Sequence, residues 1–229
     1  LGPQGPEPQL SPGVAAGRFI TLEGGEGAGK STLARALKER IEALGLHATL
    51  TREPGGSPKA EAIREVILSG QVKRHGPFVE ALMFSAARID HIDRLIRPAL
   101  TRGDWVICDR FIDSTRVYQG ALGQIAPGLL AELEAVTVDG LLPHLTLILD
   151  LDPTVGLARA ARRRTPGEGA DRFEGEALAF HRKLRQAYLA IAEAEPARCV
   201  VLDAAQPPAA LAEAAWQAIR ERLPTPQPA

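Results

Sequence analysis

The chain has 229 residues, 45% of them apolar, with 27 Lys and Arg against 28 Asp and Glu. That length and apolar fraction suit one α/β domain with a full core and exclude a disordered chain. A net charge of −1 leaves no basic footprint for nucleic acid, and no apolar run approaches the roughly 20 residues that span a bilayer.

Residues 1–17, LGPQGPEPQLSPGVAAG, are rich in Pro and Gly and are expected to be a disordered extension or a remnant outside the fold. One domain is expected over 18–223, with a flexible tail at 224–229. RFITLE at 18–23 predicts a buried strand that runs into a Gly-rich turn. A helix follows from Ser31 to about Leu44, with Leu33, Leu37, Ile41 and Leu44 at helical spacing and Gly45 at its end. HATLTRE predicts a second strand, broken by PGGSP. A helix through AEAIREVIL comes next, then a long one from Phe78 to near Leu100 that Pro98 should kink or end. DWVICDR, LTLILDLD and CVVLDA predict the third, fourth and fifth strands, with helical patterns between. This alternation predicts an α/β fold: a five-stranded parallel sheet flanked by helices, with ligands at the carboxyl ends of the strands. Cys108 and Cys199 have no metal-ligand spacing and read as reduced core thiols, which suits a cytoplasmic protein.

Gly24 to Ser31 follows the pattern of Gly, four residues, then Gly-Lys-Ser/Thr, placed between a strand and a helix. Backbone N–H groups of Gly24, Gly25, Glu26, Gly27, Ala28 and Gly29 are expected to cradle phosphates at a helix N-terminus. Lys30 is expected to reach the outer phosphates of a nucleoside triphosphate and Ser31 to hold Mg²⁺, with Thr32 completing the nucleotide-binding run. Glu26 is the odd member, a carboxylate in a loop built for anions. Arg52 and Arg110, at the ends of strands two and three, add guanidinium forks suited to a second phosphate, and surface ion pairs with Glu53 or Asp109 are the plainer alternative. If the forks hold a phosphate, the reaction is phosphoryl transfer between two nucleotides.

LEGGEGAGKST, TREPGG, EALMFSAAR, DRFIDSTRVYQG, LDLDP and ARRRTPGEGADRFE occur in that order. Together they resemble the bacterial thymidylate kinases, a family of P-loop nucleoside monophosphate kinases. The resemblance implies transfer of the γ-phosphate of ATP to dTMP with Mg²⁺, giving dTDP on the route to dTTP. It also implies a five-stranded P-loop kinase core with a small mobile lid, a homodimer, and a cis Glu53–Pro54 bond. By the same resemblance Glu26 binds the deoxyribose 3′-hydroxyl, Phe84 stacks on thymine and Arg88 hydrogen-bonds a base oxygen. Arg110 is assigned to the acceptor phosphate and Asp109, with Ser31, to the Mg²⁺ region. Thr115 matches a base contact, Tyr118 the tyrosine under the sugar, and Gln119 a nearby polar contact.

The lid is expected at about 159–174, where Arg159, Arg162, Arg163, Arg164 and Arg172 accompany TPGEGAD. Some relatives carry a catalytic arginine next to the acidic residue of the phosphate loop; here that neighbour is Gly27, so the charge is expected from Arg163, Arg164 or Arg172. Two rival readings remain at this stage. A nucleoside kinase would leave Arg52 and Arg110 idle, and a P-loop switch would need no acceptor pocket.

Overall fold

A computed structural model of the chain describes residues 17–163, 173 and 175–224, with Arg163 described in its backbone only. Five strands, β1 (Arg18–Gly24), β2 (Ala48–Arg52), β3 (Trp105–Asp109), β4 (Leu145–Asp150) and β5 (Cys199–Asp203), form one sheet in the order β2-β3-β1-β4-β5. Every pairing is parallel. The register sets the site: Leu22 of β1 and Arg52 of β2 both lie opposite Asp109 of β3, so β2 and β3 finish level while β1 runs on to Gly24, where the Gly-rich turn begins.

Alternation along β1 sends neighbouring side chains to opposite layers. Ile20 and Leu22 pack with α1 (Lys30–Glu42) and α9 (Pro208–Arg222) through Leu33, Leu37, Ile41, Leu211 and Ile219. Phe19 faces the other way, edge-on to Phe111 at 4.9 Å between ring centres, in a second cluster with Val106, Cys108 and Ile96. A third cluster joins Ile148 of β4 to Leu184 and Tyr188 of α8 (Leu178–Ala194). Both cysteines are buried and free, as expected.

The remaining helices are α2 (Pro58–Leu68), α3 (Pro77–His91), α4 (Arg97–Thr101), α5 (Ile112–Thr115), α6 (Pro127–Val138) and α7 (Pro153–Arg163). Ser57 caps α2 by accepting from the Ala60 N–H, with Pro58 at the first helical position. The long helix expected from Phe78 to near Leu100, disturbed by Pro98, is present as the contiguous run of α3, a π turn at Ile92–Ile96, and α4. Pro98 has no N–H to return to the Arg94 carbonyl, so the preceding turn widens. A second π turn, Arg116–Leu122, continues α5 and carries Tyr118 and Gln119. The bond between Glu53 and Pro54 is cis. Among the described residues no helix is long and apolar enough to cross a membrane.

Candidate active site

The phosphate loop leaves β1 at Gly24 and enters α1 at Lys30, whose side chain is buried beneath the loop. Its Nζ donates to the carbonyls of Gly24 (3.2 Å) and Gly25 (2.9 Å). Burial, and next the neighbouring Arg110, lower its pKa from the ordinary lysine value, while Glu26, Asp109 and Glu23 pull the other way. Ser31 Oγ donates to Asp109 Oδ2 at 2.8 Å, which joins the head of α1 to the end of β3. Among the described residues there is no cluster of three or more His, Cys, Asp or Glu able to hold a metal. Two hard oxygens at the edge of a phosphate site still fit Mg²⁺, which takes one or two protein ligands and fills its shell with phosphate and water.

Beside the loop lies a crevice of about 240 Å³. Glu26, Arg52, Phe84, Arg88, Arg110, Thr115, Tyr118 and Gln119 all line it, so four separate stretches of chain meet there. Lys30, Ser31 and Asp109 line the same space. Arg110 pairs with Glu26, so the misfit carboxylate of the loop sits on a guanidinium. The Arg110 guanidinium also lies 5.4 Å from the Tyr118 ring centre, and Tyr118 meets Phe173 edge-on at 4.9 Å.

Arg88 is buried. Its Nε donates to Glu53 Oε2 (2.7 Å) and its Nη2 to Phe111 O (3.2 Å) and Thr115 Oγ1 (3.0 Å), while Nη1 donates to none of the described residues. Gln119 is buried too, and its Nε2 donates to Glu80 Oε2 at 2.9 Å. Arg52 is half exposed and pairs with Glu61 at 3.1 Å. Both arginines do form ion pairs, the plainer alternative, with Glu61 and Glu26 as partners in place of Glu53 or Asp109. Glu53 turns inward to Arg88 and His91, and Asp109 is held by Ser31.

Of the lid arginines, Arg159 donates to the Ala204 carbonyl at 3.0 Å, and Arg162 lies on α7. Arg162 lines a second cavity, of about 560 Å³, with Thr32, Gln206 and Ala209 on the opposite flank of the loop. The Arg163 side chain and the whole of Arg164 and Arg172 lie outside the described residues. The structure gives a reason for glycine at position 27. Its φ is +69°, and a Cβ there would stand 2.0 Å from the carbonyl oxygen of Gly156, where α7 crosses the loop. An arginine does not fit at this place.

Three site-supporting groups escape motif reasoning. Glu53 is buried and bridges Arg88 to His91 Nδ1 (3.1 Å), which in turn meets Thr51 Oγ1 through Nε2 (2.6 Å). Glu23 is buried at the end of β1, and Tyr188 of α8 reaches it across the sheet. A signal existed for Glu23, since a carboxylate in an otherwise apolar buried strand needs partners. None existed for Tyr188.

The model of the thymidylate kinase family matches residues 22–215. A thymidylate kinase of Bradyrhizobium diazoefficiens is 55% identical over 211 residues, covering 92% of each chain. That of Nitrobacter winogradskyi is 58% identical over 210 residues, covering 91% of this chain and 90% of its own. The crystal structure of thymidylate kinase from Ehrlichia chaffeensis superposes with a TM-score of 0.72 at 29% identity, covering 89% of this chain and 99% of that one. With the phosphate loop, the crevice beside it and the parallel sheet beneath them, these similarities place the chain in the thymidylate kinase family.

Proposed function

We propose that the chain transfers the γ-phosphate of ATP to dTMP, giving dTDP and ADP. One observation carries this reading: eight acceptor candidates from four stretches of chain line a single crevice that opens onto Lys30 and Ser31. The second cavity, across the loop beside Arg162 and Gln206, accepts the donor base, so the two nucleotides meet end to end over the loop.

Phosphoryl transfer asks for positioning and charge neutralisation more than for covalent chemistry. Loop amides and Lys30 hold the donor phosphates. Ser31 and Asp109 hold Mg²⁺, which when bound neutralises phosphate charge. Arg110 takes the acceptor phosphate, assisted at the rim by Arg52. The Glu26–Arg110 pair opens as the acceptor enters, and Glu26 then accepts from the 3′-hydroxyl. Phe84 stacks on thymine, the open Nη1 edge of Arg88 meets a base oxygen, and Thr115 and Gln119 line the base end. Tyr118, backed by Phe173, crowds the sugar where a 2′-hydroxyl would project. A lid arginine, Arg163, Arg164 or Arg172, supplies charge to the transferring group. Homodimerisation is supported by exposed apolar side chains on three touching helices: Val66 on α2, Phe78, Leu82 and Ile89 on α3, and Leu129 and Val136 on α6. A cytoplasmic setting is supported by the two free, buried thiols.

The test measures ADP release with ATP alone and then with dTMP, dUMP, dCMP, AMP or thymidine added singly. Stimulation by dTMP, weaker with dUMP, is expected. An acceptor-independent rate would mean a switch, and stimulation by thymidine a nucleoside kinase.

A further inference from the structure

Arg110 has a backbone φ of 72°, in the left-handed region that non-glycine residues seldom adopt. Such a turn persists only where its surroundings hold it. The Arg110 N–H donates to Leu22 O at 2.9 Å, and the next two anchors both end on Glu23. Glu23 Oε1 accepts from the N–H groups of Phe111 (2.8 Å) and Ser114 (3.3 Å). Glu23 Oε2 accepts from the hydroxyls of Ser114 (2.7 Å) and Tyr188 (3.0 Å). Four donors thus fill the acceptor capacity of one ionised carboxylate.

The two hydroxyls connect this carboxylate to the guanidinium. Arg110 Nη1 donates to Tyr188 Oη at 3.2 Å and to Ser114 Oγ at 3.4 Å, and also to Gly24 O at 3.2 Å. Each hydroxyl therefore accepts from the cation and donates to the carboxylate. The two hydroxyls also lie 3.0 Å from each other. With Glu23 ionised both can donate to it; if Glu23 were protonated, its own O–H would take one hydroxyl as acceptor and turn that hydroxyl's proton onto the other, so only one would still donate to the carboxyl.

We propose that Glu23, acting through Ser114 and Tyr188, is the positioning residue that sets Arg110 for the acceptor phosphate. This rests on the acceptor reading of Arg110 given above. Glu23 does not touch substrate, because it is fully buried beneath the turn.

Burial, and next the charge of Asp113 on α5, raise the Glu23 carboxyl to about 7, while Arg110, Ser114 and the Phe111 N–H oppose the rise. The other ionisable groups around it are Glu26 and Lys30 on the loop, Cys108 on β3 and Tyr188 on α8. Burial, and next the Glu23 charge, hold the Tyr188 hydroxyl well above its usual pKa; burial, and next the charges of Glu53 and Asp109 ahead of Glu23, do the same for the Cys108 thiol, so both stay neutral. Above about 7 Glu23 is ionised and accepts from both hydroxyls; below it one of those two bonds is lost and the relay is rearranged.

The experiment compares wild type, E23Q and the double variant S114A/Y188F in steady-state assays varying dTMP and ATP over roughly pH 6 to 9. For E23Q the KM for dTMP should rise by about tenfold, the worth of one hydrogen bond to a charged group, with the KM for ATP changed less than about twofold. The wild-type KM for dTMP should climb as pH falls through about 7. Both variants should lose that step and keep only the titration of the substrate phosphate near about 6. An unchanged KM for dTMP, an equal rise for ATP, or a variant profile that matches wild type would overturn the proposal. If E23Q does not fold, S114A/Y188F decides by the same criteria. A wild type inert toward dTMP would refute the functional reading itself, whereas an active wild type with indifferent variants would refute only the role of Glu23.

Discussion

Replacing Arg88 by Met should damage stability and substrate binding by separable routes. The side chains of Arg88 and Glu53 are 3% and 4% exposed and meet at 2.7 Å. Without the guanidinium, Glu53 stays buried with only His91 Nδ1 at 3.1 Å. The Phe111 carbonyl and the Thr115 hydroxyl lose a donor as well. Removing one partner of a buried pair costs about 3–5 kcal/mol, because the other charge is left uncompensated. For a domain of this size each kcal/mol shifts the melting midpoint by about 2–4 °C, so a fall of roughly 6–20 °C is expected. Adding Glu53→Gln removes the stranded charge and should recover most of that loss, since an amide still bonds His91. The kinetic defect should not recover, because no guanidinium faces the base in either variant. Urea unfolding and dTMP saturation curves on wild type, Arg88→Met and the double variant measure both effects. The reasoning fails if Arg88→Met unfolds within about 1 kcal/mol of wild type, or if the double variant regains the wild-type KM for dTMP.

Arg110→Ala is expected to cripple turnover with dTMP while ATP binding by calorimetry stays nearly intact; equal loss of both would mean that donor and acceptor sides are misassigned. Lys30→Ala should abolish transfer with no loss of melting temperature, because it removes a buried ammonium whose charge serves the transition state; retained activity would remove the loop from the mechanism. Chelation of Mg²⁺ should stop transfer, and Asp109→Asn should raise the Mg²⁺ concentration needed to restore it; a wild-type rate indifferent to the metal would count against the Ser31–Asp109 site.

How much of this was legible in the sequence follows from the range of each signal. The five strands, the phosphate loop and α1 were readable because a strand, a turn and a helix start are written in adjacent residues. The crevice residues were found through short motifs whose meaning came from the family, and the parallel register, which brings the carboxyl ends of β1, β2 and β3 side by side, explains why they converge. The long helix and its disturbance near Pro98 were readable too, whereas the form of that disturbance, a widened turn, depends on which register the packing accepts.

The chain by itself therefore determined an α/β sheet with a phosphate loop at its first strand, since periodicity and turn chemistry act over a few residues. Only the tertiary structure decided which carboxylates are buried and which cations hold them. Arg88 and Glu53 are 35 residues apart, Glu23 and Phe111 are 88 apart, and Glu23 and Tyr188 are 165 apart. Partners at such separations are chosen by packing of the sheet and its helices, and no local pattern encodes them.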